Sequence, residues 1–146
     1  VYNTVKRHSR KGTPMKEIPI TSFDNIQIGQ AENTAAGTGC TVVLLGKDGA
    51  PAGLDVRGGG PASRESELLK PLARRSHPRH CAGGRSAFGL DAAGGVMRYL
   101  EERGIGLRRC DESAPVCQSD LFDLTVADAR DPADRSQSAY AACVNA

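Results

Sequence analysis

The chain has no tryptophan and only three phenylalanines and three tyrosines in 146 residues. The large rings that usually dominate a core are scarce, so a core here must be built from aliphatic side chains and alanine. Charge of one dominant sign is also lacking. The formal net charge of +2 is too small to imply nucleic acid or a membrane surface by itself. No run approaches the roughly 18 apolar residues of a membrane-spanning helix, and no secretory signal is visible. The expected compartment is the cytoplasm. The five cysteines, Cys40, Cys81, Cys110, Cys117 and Cys143, are odd in number and irregularly spaced, a pattern of reduced thiols rather than a disulfide framework. Missing too are the phosphate-binding G-x-x-x-x-G-K-[ST], the dinucleotide G-x-G-x-x-G, the nucleophile elbow G-x-S-x-G and the zinc motif H-E-x-x-H.

Glycine, in contrast, is plentiful at 17 residues, and one glycine-rich segment organises the chain. Between Gly83 and Gly104, Leu90, Ala93, Val96, Met97 and Leu100 recur at three- and four-residue spacing and predict one apolar helical face. Arg98, Glu101, Glu102 and Arg103 take the other side. Ser86 is the expected N-cap and Gly104 the expected left-handed C-cap. The Gly94-Gly95 pair costs roughly 1 kcal/mol of helix propensity per glycine. That cost predicts something packed close to the backbone there.

Elsewhere the signals are shorter. Residues 1–14 carry basic residues and no acidic ones, and read as a disordered leader that is not native, with Met15 as the true start. Residues 18–29 predict two short strands around an Asp24-Asn25 turn. Thr38 to Leu45 predicts a buried strand. Lys47-Asp48-Gly49 predicts a hairpin turn into a second, antiparallel strand over 52–57. Ser63 is expected to cap a short helix running to Leu69.

Residues 70–85 hold five basic residues, and His77, His80 and Cys81, where a sheet needs another strand. As metal ligands these three lack a fourth partner, and a solvated basic loop is the simpler reading, ahead of a phosphate-binding loop. Gly37-Thr38-Gly39 and Gly58-Gly59-Gly60 likewise read as turns rather than anion cradles. Val116 to Ala127 regains an apolar pattern, 128–138 reads as a charged loop, and Tyr140 to Ala146 reads as a helix cut off before any stop signal. By the residues alone the chain is an α/β protein with no catalytic assignment: Ser86 has no base beside it in sequence.

Three blocks together resemble the L-aminopeptidase/D-esterase (DmpA-like) peptidases, which include the β-peptidyl aminopeptidases. The first is Thr38 to Leu44 with Gly53-Leu54-Asp55-Val56-Arg57-Gly58-Gly59-Gly60-Pro61 and Arg64-Glu65. The second runs from Ser86 to Gly104, and the third joins Leu121-Phe122-Asp123-Leu124-Thr125 to Tyr140-Ala141-Ala142-Cys143. The resemblance implies a four-layer α-β-β-α sandwich of the ornithine acetyltransferase type. It implies a precursor that cleaves itself and frees an N-terminal serine or threonine as nucleophile, whose own α-amino group serves as base. The reaction implied is acyl transfer through a tetrahedral intermediate, without a metal or organic cofactor.

Residues 15–146 then correspond to the N-terminal part of such a domain. The expected partners are a peptide or amide substrate, the second chain of the precursor and further copies in an oligomer, with neither nucleic acid nor membrane. The nucleophile falls beyond residue 146, so this chain alone is expected to be inactive. Tyr140 is the one residue that falls on a family active-site position, as an oxyanion contact; a buried helix tyrosine is the competing explanation. Departures from the family pattern at 70–85, 107–115 and 130–138 are abrupt and arginine-rich, and read as local frame errors. Two other readings stand beside this one. One is a small anion- or nucleic-acid-binding module using Arg74, Arg75 and Arg79; the other is a frameshifted product without function.

Overall fold

In the computed structural model, the residues described are 16–47, 49–60, 62–70, 79–84, 86–106, 115–126 and 135–146. The leader, Arg74, Arg75, His77 and most of the two later mismatched stretches lie outside them. The described part is a mixed α/β structure. It holds five strands, β1 (Gln27–Asn33), β2 (Thr38–Leu44), β3 (Ser63–Arg64), β4 (Arg79–Gly83) and β5 (Val116–Asp120), and two helices, α1 (Ala92–Glu101) and α2 (Arg135–Val144). The strands form one sheet in the order β1-β2-β4-β5-β3. Only β4 and β5 pair in parallel, as expected for strands joined through a helix; the other pairings are antiparallel.

The strand expected at 38–45 forms as β2, with Cys40, Val42 and Leu44 buried on one face. Its hairpin partner differs from expectation. The partner is the upstream β1, with Gln27 opposite Leu44 and Asn33 opposite Thr38. The turn at 34–37 is closed by the Ala36 N–H donating to Asn33 Oδ1 at 3.0 Å and by Gly37 at φ 61°. Residues 52–57, expected to pair with β2, form no strand and are exposed. The physical reason is that both edges of β2 are taken, one by β1 and the other by β4. Residues 18–29 likewise give one 3-10 turn, Ile20–Ser22, and the start of β1, not two strands.

Ser63 is not a helix cap. With Arg64 it forms β3 against Ser119 and Gln118, and a single 3-10 turn, Ser66–Leu69, follows a left-handed Glu65. Residues 70–85, expected as a solvated basic loop, instead contribute at 79–83 the strand β4, which fills the place between β2 and β5, while 71–78 lie outside the described residues. The loop expected over 128–138 gives way to helix by Arg135.

The core joins Cys40, Val42 and Leu44 of β2 to Ala92, Ala93, Val96 and Leu100 of α1, Val116 of β5, and Ala139, Ala142 and Cys143 of α2. Both helices therefore share one face of the sheet. Small residues set the spacing in place of the missing rings. A Cβ on Gly95 would lie 1.9 Å from the Ser136 carbonyl oxygen, and one on Gly29 only 1.8 Å from that of Ala142. The close approach expected at the Gly94-Gly95 pair is thus the α1–α2 contact, and Gly95 alone makes it; Gly94 meets nothing nearer than 4.0 Å. At the far end of α1, Gly104 has φ 62° and donates to Glu101 O at 2.9 Å, while Ile105 donates to Leu100 O at 3.0 Å. These two bonds close a Schellman motif at the predicted stop.

Candidate functional site

The entry to α1 is built differently from its sequence expectation. Ser86 has φ 53° and its N–H donates to Leu121 O at 3.0 Å. A 3-10 segment, Ser86–Asp91, separates it from the first α-helical residue. Ser86 is too far from the first turn of α1 to cap it, and Asp91 makes no side-chain cap bond. The cap comes from β5. Gln118 is fully buried; its Oε1 accepts from Ala93 N–H at 2.9 Å, and its Nε2 donates to Gly89 O and to Asp120 Oδ1, both at 2.6 Å. A glutamine 25 residues away in sequence carries no local capping signal, so sequence reasoning missed it.

Asp120 ends β5 opposite Gly83. Its Oδ2 is buried without a hydrogen-bond partner. Burial pushes its pKa up, partly offset by the Gln118 hydrogen bond. Three residues on, Asp123 Oδ2 accepts from the Thr38 hydroxyl at 2.7 Å, tying the loop after β5 to the start of β2. Gly84 lies against this pair: a Cβ there would sit 2.1 Å from both Asp123 Oδ2 and Thr38 Oγ1. Around them opens a groove of about 530 Å³, with Gln30, Glu32, Thr41, Leu121 and Asp123 among its walls. The Gly37-Thr38-Gly39 turn borders it; the Gly58-Gly59-Gly60 segment is exposed.

Tyr140 is on α2, half-buried, and does not line this groove. Its hydroxyl donates to Glu102 Oε2 at 2.5 Å. The ring meets Tyr99 edge-on at 5.5 Å between centroids, and the Arg98 guanidinium carbon lies 4.8 Å from its centre. Arg103 covers Tyr99 in turn at 3.6 Å. The structure therefore places Tyr140 in an aromatic and ionic cluster joining the two helices, apart from the Thr38–Asp123 pair.

Of the residues considered as metal ligands, His80 and Cys81 occupy successive positions of β4. Among the described residues, no group of three or more His, Cys, Asp or Glu side chains is placed to hold a metal ion. Cys40, Cys117 and Cys143 are buried free thiols. No helix among the described residues is long and apolar enough to cross a membrane.

Comparison with known proteins bears on what this scaffold belongs to. The chain is similar to an uncharacterized aminopeptidase of Mycobacterium leprae, 37% identical over 118 residues that make up 75% of this chain and 33% of the relative. Uncharacterized aminopeptidases of Mycobacterium bovis and Mycobacterium tuberculosis are 38% identical over 135 residues, 84% of this chain and 39% of theirs. The chain thus spans between a third and two-fifths of the length of these relatives. Residues 19–146, from just before the first 3-10 turn to the end of α2, match the pattern of peptidase family S58, and the chain belongs to that family.

Proposed function

We propose that this chain is the N-terminal part of a self-processing aminopeptidase that removes N-terminal residues from peptides, amides or esters by acyl transfer. One observation carries the reading: the S58 match covers residues 19–146, while the aminopeptidase-named relatives extend well beyond the matched region. In this reading the nucleophilic serine or threonine comes from a second segment outside these 146 residues. Its free α-amino group takes the hydroxyl proton and later returns one to the leaving amine. No metal or organic cofactor takes part.

The oxygen of the tetrahedral intermediate needs hydrogen-bond donors, and Tyr140 is the donor that this chain supplies. A phenol has one proton to give, and here it goes to Glu102. Stabilising an oxyanion therefore requires the hydroxyl to leave Glu102 as the two segments come together. The sheet supports such an assembly. Its helices share one face, while Ile28, paired with Val43 on the alternate face, remains 43% exposed. A second sheet and its helices, packed on that face, complete the four-layer sandwich. The assembled enzyme is cytoplasmic and oligomeric.

The purified 146-residue chain is expected to show no turnover of aminoacyl-nitroanilides. Supplying a second segment that bears the nucleophile restores hydrolysis, and Tyr140→Phe in the assembled enzyme lowers kcat by about 10²–10³. Turnover by the 146-residue chain alone, abolished by Tyr140→Phe, would overturn the requirement for a second segment.

A further inference from the structure

Residues 51–60 are exposed throughout and form neither helix nor strand. Apart from one side-chain pair, no hydrogen bond ties them to the rest of the described residues. Within them, apolar Leu54 and Val56 alternate with charged Asp55 and Arg57, the two-residue period of a strand with one apolar and one polar face. The side-chain pair agrees with that period: Arg57 Nε donates to Asp55 Oδ2 at 2.7 Å, so both charged groups lie on one side of the segment. Val56, between them in sequence, is 66% exposed. A strand pattern is thus present without a sheet. It cannot join the sheet through β2, whose two edges are taken by β1 and β4.

A backbone of strand character with its N–H and C=O groups unpaired is a template for another strand, and the charges here select which. Residues directly opposite in an antiparallel pair share a face; opposite charges placed there attract and like charges repel. Centred on Asp55, a pairing of this segment with itself sets Asp55 against the partner's Asp55. Centred on Leu54, it leaves Asp55 facing the partner's Gly53 and Arg57 facing the partner's Pro51. Centred on Val56, it sets Asp55 against the partner's Arg57 and Arg57 against the partner's Asp55. Val56 then meets the partner's Val56, and Leu54 lies over the partner's Gly58. With the bond inside each chain, the four charges alternate around a ring. Gly58 has φ 120°, a conformation that glycine alone takes readily, and it ends the paired stretch.

We propose that residues 54–58 are a self-association strand, through which two copies of this chain pair antiparallel about a two-fold axis at Val56. Each copy gives and receives the same contacts, so the pairing closes at two. Main-chain hydrogen bonds hold the two strands, Asp55 and Arg57 fix their register, and Val56 is covered. So short a strand pair makes a small interface, and the dimer is weak and concentration-dependent. The strand does not depend on the peptidase reading, and losing it would leave that reading untouched.

Sedimentation equilibrium of the 146-residue chain at rising concentration is the test, with monomer and dimer expected. Asp55→Arg and Arg57→Asp each turn both cross-strand pairs into like-charge pairs, and each is expected to raise the Kd about tenfold. An equimolar mixture of the two variants restores opposite charges at both positions and associates as the unaltered chain does. Deuterium exchange at the amides of 54–58 slows with concentration in the unaltered chain and not in either variant alone. The Arg57 and Asp55 side chains are 87% and 70% exposed, so both variants are expected to fold, which circular dichroism checks. If either does not fold, the concentration dependence of exchange at 54–58 in the unaltered chain still decides the matter. A chain that stays monomeric overturns the proposal and leaves the strand to a segment outside these 146 residues. Association unchanged in both variants, or a mixture no tighter than either variant alone, also overturns it, because the copies then meet through another surface.

Discussion

Gln118 on β5 caps α1 across the core, its Oε1 accepting the Ala93 N–H at 2.9 Å while its Nε2 donates to Gly89 O. One buried amide thus satisfies the helix start and the turn that leads into it. Gln118→Leu keeps the bulk but leaves a buried N–H and a buried carbonyl unpaired. The expected loss is about 3 kcal/mol, read as a lower urea midpoint with unchanged slope. Gln118→Glu retains the acceptor toward Ala93 but faces Asp120 and Gly89 O with oxygen; it is expected to be destabilised most at neutral pH and to recover partly in acid.

The two adjacent glycines of α1 should respond in opposite directions to the same change. Gly94→Ala meets nothing closer than 4.0 Å and gains helix propensity, worth up to about 1 kcal/mol. In Gly95→Ala the new methyl falls 1.9 Å from the Ser136 carbonyl, and backbone cannot yield as a flexible side chain does. Helix α2 must then move away from α1, at a cost of about 2–3 kcal/mol, the upper range for overpacking. Paired thermal melts check the sign of each.

Asp120 should mark the pH profile of stability. Burial raises its pKa in the folded state, so the folded protein holds the proton more tightly than the unfolded chain. Its contribution is full below the ordinary aspartate range and is lost as pH rises through the raised folded value. Asp120→Asn keeps a neutral group in place and should remove this part of the slope, leaving stability flatter on the acid side of neutrality. Urea midpoints at half-unit pH steps make the comparison.

Cys143 is buried on α2, and burial, with Cys40 adding to it, pushes its thiol up to about 12. An ordinary thiol ionises well below that. Stability linked to this group is therefore whole at neutral pH and declines from about pH 9 toward pH 12, as the unfolded chain releases a proton that the folded one keeps. The same burial makes the thiol unreactive. Mass spectrometry after iodoacetamide treatment at pH 8 should find Cys143 unmodified in the folded chain and modified in urea.

Local sequence determined those elements whose signals are local. The apolar spacing from Leu90 to Leu100 and the left-handed stop at Gly104 fix α1 and its end, because a helix face and a Schellman turn depend on residues within a few positions of one another. The β-branched run after Thr38 fixes β2 for a similar reason, since a buried strand needs apolar side chains in succession. The blocks that carried the family resemblance also lie in the sequence itself, and they identified the family correctly. Tyr140 was named from them, but its contact with Glu102 was not readable.

Tertiary structure decided which strand pairs with which and which groups end up unpaired. An Asp-Gly turn predicted a hairpin after β2, yet β2 had no edge left once β1 and β4 had bound it. Ser86 had the residue type of a cap and the wrong place, whereas Gln118 had the right place and no local signature. The Thr38–Asp123 bond spans 85 residues. These features depend on distances between segments far apart in the chain, and no spacing rule along one strand or helix encodes them.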